Sequence, residues 1–437
     1  MGERYIFENA IDIAKDNVAI ERIDEKCVDC GLCKKACKQR EGIEDICGGK
    51  ACVNCGQCVQ LCPTNAIIPR RDKEKLEQAI KNNKICIAYT APAVRVAVGE
   101  EFGMQIGEFA QGKLVASLRK LGFKYVLDVT FGADLTIMEE ANELVDRIKN
   151  GGKLPMFTSC CPAWVKYAEI NYPEILDNIS TCKSPIAMQG KIVQEYFANK
   201  MNIDKDNIFT VAITPCTAKK YEIAREEIDG TDIVITTEEL VEMLKEKNIN
   251  IKELTDSEYD SLLGEGSGAG MIFGNTGGVM EAALRTTYNI LTGKELEEDA
   301  IEFEAVRGMD NVKEATIDIN GIKINIAVIN QMSSAIPILE DVKNGTSKYQ
   351  YIEIMNCLGG CIGGGGQPQI PIIKEKEVKE KRINSLYERD KNDKIRVSYK
   401  NSEIIKLYDE FLGKPLSEKC EELLHTSYKN KSNLLNK

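Results

Sequence analysis

Cysteine carries the chemistry of this sequence: 17 of its 437 residues are cysteine, beside a single histidine, His425. Nine lie between Cys27 and Cys62, eight of them in two runs that read Cys27-x2-Cys30-x2-Cys33-x3-Cys37 and Cys52-x2-Cys55-x2-Cys58-x3-Cys62-Pro63. Thiolates are the soft ligands that iron-sulfur clusters require. In such a run a tight loop lets three thiolates grip one 4Fe-4S cubane, and the following helix carries the fourth to the other cubane. Cys27, Cys30, Cys33 and Cys62 are therefore assigned to one cluster, and Cys52, Cys55, Cys58 and Cys37 to a second. Gly31 and Gly56 suit the turns around them. A zinc site would need four ligands in pairs, not two repeated four-cysteine runs. Cys47 has no place in this scheme and reads as a plain buried thiol. Two such clusters carry single electrons.

Three further cysteine groups follow apolar runs. Residues 154–158 lead into Thr158-Ser159-Cys160-Cys161-Pro162, residues 208–213 into Thr214-Pro215-Cys216, and residues 351–355 into Asn356-Cys357-Leu358-Gly359-Gly360-Cys361. Open α/β folds place their sites at the carboxyl ends of strands. Three distant segments can thus converge on one metal centre, and the run Gly363-Gly364-Gly365-Gly366 allows a bulky ligand to approach the backbone. No phosphate-loop or dinucleotide fingerprint is present.

The elements that must position these groups are an alternation of β-type runs (residues 85–90, 125–129, 154–158, 208–213, 233–236, 324–329 and 351–355) with helical stretches such as 113–121 and 136–149. This predicts an α/β catalytic domain over residues 76–437, following a smaller α+β domain over residues 1–75 that holds the cysteine runs. Thr136 and Glu139 suggest a capping box at the start of the second helix. Residues 374–382 are charge-dense and read as a solvated helix or edge, and the last ten residues as a frayed tail. The composition, 43% hydrophobic and 29% charged, is that of an ordinary globular protein. The net charge of −11 disfavours nucleic acid or an anionic membrane as partner. No apolar run approaches the roughly 18 residues of a membrane span. Residues 1–9 lack a signal-peptide pattern, so a cytoplasmic protein is expected.

The amino-terminal runs resemble bacterial ferredoxins. The segments 158–164 (TSCCPAW), 214–222 (TPCTAKKYE) and 353–368 (EIMNCLGGCIGGGGQP), with 131–140 and 272–285, resemble the signatures of FeFe-hydrogenases across nearly the whole chain. The resemblance implies two lobes of mostly parallel sheet flanked by helices, with the active site between them. It also implies an H-cluster, a 4Fe-4S cubane joined through one cysteine sulfur to a two-iron unit bearing CO, cyanide and an azadithiolate. By motif position Cys161, Cys216, Cys357 and Cys361 would hold the cubane, with Cys361 bridging. Cys160 would be the proton-relay thiol, and Lys219 and the Ala91-Pro92-Ala93 turn would bind the cyanides. Met355, Phe273 and Thr214 would line the pocket.

Glu140, Glu143 and Arg147 share one helix face. With Cys160, and with Ser180 supplying a hydroxyl between the two carboxylates, they match the family's proton relay. Lys219 read without this context would be a surface lysine paired with Glu222. Ala163, Thr214 and Ala93 depart from the residues usual in the family, which alters the polarity and hydrogen bonding that tune a metal centre.

The resemblance implies anaerobic, reversible oxidation of H2 to protons and electrons, with ferredoxin or flavodoxin as electron partner and maturation enzymes supplying the two-iron unit. Two other readings are an iron-sulfur assembly scaffold of the same fold without that unit and a slow H2 sensor. Cys47, Cys86, Cys182 and Cys420 read as ordinary thiols, and His425 as a packed or surface histidine.

Overall fold

The computed structural model describes residues 7–42, 51–297 and 300–435. Cys47 lies outside them. Strands β1 (Ile20–Arg22) and β2 (Ile67–Pro69) pair antiparallel beside the amino-terminal cysteines. One larger sheet is wholly parallel, built from β3 (Ile85–Thr90), β4 (Tyr125–Asp128), β6 (Ile208–Thr214) and β7 (Ile233–Thr236) in the order β4-β3-β6-β7. The other runs β5-β10-β9-β8, from β5 (Met156–Phe157), β8 (Val312–Ile319), β9 (Ile322–Asn330) and β10 (Tyr351–Met355). Its β8 is antiparallel to β9 and the rest are parallel. The fold is thus the expected pair of largely parallel α/β lobes.

All seven expected runs contain a strand, though residues 154–158 form only the two-residue β5. Strand β8 was not anticipated. Its inward and outward residues alternate at a sheet edge, and Asn320 and Gly321, both at positive φ (54° and 85°), turn the chain into β9. The helix expected from residue 136 begins at Val129 and runs to Asn150. Asp128 caps it by accepting from the Thr130 N–H at 2.9 Å. Thr136 is no cap; it lies inside the helix and donates to the Gly132 carbonyl at 2.9 Å. Because this helix is buried on nearly every side, no polar face marks where it starts.

Two readings of the carboxyl-terminal region are corrected. Residues 374–382 enter the helix Glu375–Lys391, yet Lys379 and Arg382 are buried. Arg382 donates to Glu100 at 2.9 and 2.7 Å and to the Ile362 carbonyl at 2.9 Å. Nor is the end of the chain frayed through residue 435. Lys431 reaches the buried Glu169 at 2.6 Å, and the Tyr428 hydroxyl donates to the Ser180 carbonyl at 2.5 Å. Buried carboxylates and carbonyls need such partners, and the tail supplies them. Among the described residues no helix is long and apolar enough to cross a membrane.

Arg95 holds the turn after β3. Fully buried, it meets Asp128 at 3.0 and 2.8 Å and the Thr90 carbonyl at 3.2 Å. Replacing Arg95 by Leu strands a buried carboxylate, so a loss of about 3–5 kcal/mol in unfolding free energy is expected. A urea midpoint unchanged from the parent would refute that.

Candidate active site

Strands β5 and β10 are neighbours in one sheet, and β6 belongs to the other. Their carboxyl ends open on a cavity of about 80 Å³, lined by Cys160, Cys161, Cys216, Cys357, Cys361 and Lys219. Ala91, Pro92, Ala93, Thr214, Phe273 and Met355 complete much of its wall. The structure therefore gathers every expected cubane ligand and every expected pocket residue around one space. Burial raises the proton affinity of Cys161, Cys216 and Cys361; the Cys161 sulfur raises that of Cys216 further, and both raise that of Cys361.

Lys219 does pair with Glu222, at 3.1 and 2.9 Å, but it is buried rather than on the surface, and it also donates to the Cys160 carbonyl at 3.0 Å. Both polar atoms of the Asn356 side chain are buried without a hydrogen-bond partner. A cation, orphaned amide atoms and convergent thiols in an otherwise apolar cavity fit an anionic iron-sulfur group. The turn at Ala91 is tied down by the Gln367 side chain, which donates to the Ala93 carbonyl at 2.8 Å.

Beside the cavity the Val129–Asn150 helix presents its acidic face. Ser180 donates to Glu143 at 2.6 Å, and Arg147 approaches the other Glu143 oxygen at 2.6 Å. Ser180 thus bonds one carboxylate; Glu140 takes its hydrogen bond from the Tyr351 hydroxyl instead, at 2.6 Å. Burial pushes the Glu140 carboxyl up to about 8, against that hydrogen bond. Burial also holds the Cys160 thiol well above its ordinary value, with Glu140 the next cause. The order along the helix is therefore Glu140 nearest Cys160 in electrostatic terms, then Glu143 with Ser180 and Arg147.

Two groups at the site carry no signal in the sequence, Tyr351 and Gln57. Tyr351 passed as a strand residue. Gln57 donates to the Cys357 sulfur at 3.2 Å and to the Gly363 carbonyl at 3.1 Å, tying the second cysteine run to the cavity. A Cβ on Gly365 would overlap the Cys55 carbonyl and one on Gly56 would overlap Thr217, so part of the glycine run serves this backbone contact rather than a ligand. His425, packed as expected, meets Glu139 at 3.0 Å and the Thr181 hydroxyl at 2.7 Å. Ligand atoms of His425, Cys182 and Glu143 lie within 4.8 Å of one another, but Glu143 and His425 are already engaged in hydrogen bonds. No signal short of the fold joins residues this far apart in sequence.

In the amino-terminal region Cys27, Cys33, Cys58 and Cys62 pack with Ile11 and Val59. Backbone N–H groups of Ile11, Asn54 and Ala66 reach the sulfurs of Cys33, Cys52 and Cys62 at 3.3, 3.4 and 3.2 Å. Such donors suit cluster thiolates. Gly31 and Gly56 turn at φ 76° and 70°. Cys37 is the exception, because it is disulfide-bonded here. An oxidised sulfur offers iron no thiolate, so its expected ligand role requires that bond to be reduced.

Comparison with known proteins places these features in context. Residues 84–365 match the family described as iron only hydrogenase large subunit, C-terminal domain, residues 376–431 match iron hydrogenase small subunit, and residues 50–68 match 4Fe-4S binding domain. Iron hydrogenase 1 of Clostridium pasteurianum is 44% identical over 375 residues, covering 84% of this chain and 65% of that protein. The chain thus spans just under two thirds of the length of that relative. A solved FeFe-hydrogenase of Chlamydomonas reinhardtii aligns with TM-score 0.71 and 38% identity over 81% of this chain and 98% of that one. A cytosolic Fe-S cluster assembly factor of Xenopus tropicalis is more distant, 28% identical over 84% of this chain and 81% of its own length.

The raised Glu140 value has a consequence for stability. Between its ordinary value, 4.5, and about 8 the unfolded chain has lost this proton and the folded chain keeps it. Stability from this group therefore falls as pH rises through that window. Glu140→Gln should gain on the parent when urea midpoints are compared at about pH 5 and about pH 8. An equal difference at both values would show that Glu140 is not held protonated.

Proposed function

Given that this chain belongs to the iron-only, or FeFe, hydrogenase family, we propose that it interconverts H2 with two protons and two electrons. The observation that carries this reading is the single cavity in which Cys160 and Lys219 face the convergent Cys161, Cys216, Cys357 and Cys361. These four cysteines would hold the cubane of the H-cluster, with Cys361 shared with the two-iron unit. When bound, that group supplies the metal centre at which the H–H bond is made or broken.

The chain's own residues supply the rest. Lys219 sets a positive charge against an anionic group, and its bonds to Glu222 and the Cys160 carbonyl fix where that charge sits. The apolar walls exclude water, which strengthens that attraction. Cys160 exchanges a proton with the cavity and Glu140 accepts it from the thiol. Ser180 and Glu143 continue the route to Arg147, whose guanidinium is bonded to the carbonyls of Lys153 and Asp177 near the surface, both at 3.1 Å. General acid-base groups in such a series each contribute about 10²–10⁴-fold.

The cysteine runs of the amino-terminal domain, residues 1–75, would hold two 4Fe-4S clusters, and Gln57 links their fold to Cys357. We assign a ferredoxin or flavodoxin as electron partner, maturation enzymes as the source of the two-iron unit, and the cytoplasm as the compartment.

Infrared spectroscopy of matured protein, paired with H2 production from reduced methyl viologen, tests the reading. CO and cyanide bands with turnover are expected, and Cys160→Ala should keep the bands while losing about 10²-fold or more of the rate. Protein without those bands after maturation would favour an assembly role like that of the Xenopus relative. Bands with negligible turnover would favour a sensor.

A further inference from the structure

Tyr351 opens β10, the strand whose far end delivers Cys357 and Cys361. It is fully buried, packed in the same apolar cluster as Cys160 and Met355. Its hydroxyl meets Glu140 Oε1 at 2.6 Å, while Glu140 Oε2 is buried with no partner. Resting on the hydrogenase reading, we propose that Tyr351 is a positioning residue of the proton route, which by occupying Oε1 leaves Oε2 as the one oxygen of Glu140 that exchanges a proton.

A phenol has a single O–H, and this one is aimed at Oε1. Burial beside Glu140 holds the Tyr351 proton far more tightly than usual, so the phenol stays a donor throughout the enzyme's working range. With Oε1 so engaged, a proton on the carboxyl resides on Oε2, and the carboxylate is stabilised by a charge-assisted hydrogen bond. The bond also fixes the carboxyl rotamer, as relay geometry demands. Around Glu140 stand Glu143 and Arg147 of its own helix, Glu353 of β10, and the thiols of Cys160 and Cys182. Arg147 is the only cation among them, and its guanidinium is bonded to Glu143. Tyr351 is therefore the group that opposes the neighbouring negative charge at Glu140 directly.

The test is Tyr351→Phe in the matured holoenzyme, which keeps the ring and removes the donor. The protonated carboxyl stretch of Glu140, identified by its disappearance in Glu140→Gln, is followed against pH by difference infrared spectroscopy. Loss of the donor should move its midpoint up by about one pH unit and carry the pH profile of H2 oxidation upward with it. The CO and cyanide bands should stay in place. A fluorinated tyrosine at position 351, a stronger donor of nearly the same shape, should move the midpoint down and serves if the Phe variant does not fold. In the double variant with Glu140→Gln, Tyr351→Phe should cost no further rate.

An unmoved midpoint, or rate losses that multiply in the double variant, would overturn the role of Tyr351 and leave the hydrogenase reading intact. Full turnover in Glu140→Gln would remove Glu140 from the proton route and overturn both the relay and this inference.

Discussion

Sulfur from both sheets meets in one cavity, and that requirement governs how the lobes are arranged. Cys160 and Cys161 follow β5, Cys357 and Cys361 follow β10, and Cys216 follows β6 across the divide. A parallel sheet makes this possible, since neighbouring strands end at the same edge. The cavity is small because the two edges close on it from both sides. Asn330, at the end of β9, reinforces the arrangement by accepting from the Gly359 N–H at 3.2 Å, between Cys357 and Cys361.

The second consequence is a high density of buried charge. Arg95 with Asp128, Arg285 with Glu281 and Asp390, Arg225 with Glu169, and Arg382 with Glu100 all lie within or just beneath the surface of the lobes. Isolated burial of any one of these groups would cost several kcal/mol. Paired, they fix the register between segments far apart in sequence. Two of these pairs brace the Glu375–Lys391 helix, through Asp390 and Arg382, and Glu169 besides its bond to Arg225 anchors Lys431 of the tail. That explains why the charge-rich carboxyl-terminal region, which reads as solvated, is ordered against the catalytic lobes.

What the sequence revealed and what it hid follow one physical division. Cluster ligands are legible because iron-sulfur coordination constrains local spacing, and strands buried on both faces are legible because they appear as unbroken apolar runs. Cap positions in buried helices are not, as Thr136 and Asp128 show, because burial erases the change from polar to apolar that marks an end. Edge strand β8 escaped because half of its residues are exposed. Partnerships such as Gln57 with Cys357 or Tyr351 with Glu140 join residues 300 and 211 positions apart. Residue type alone cannot announce them.

The same division bears on how the catalytic site is tuned. Thr214 and Ala93, which depart from the family's usual residues, both line the cavity, yet neither places a charge there. Hydrogen bonding along the acidic face comes instead from residues outside the expected ligand set: Tyr351 on Glu140, Ser180 and Arg147 on Glu143, His425 on Glu139. Each comes from a different segment, and each acts on one carboxylate. Such an arrangement lets the proton side of the site vary by single substitutions without disturbing the thiolates. The cavity lining, crowded by both lobes, has no comparable freedom.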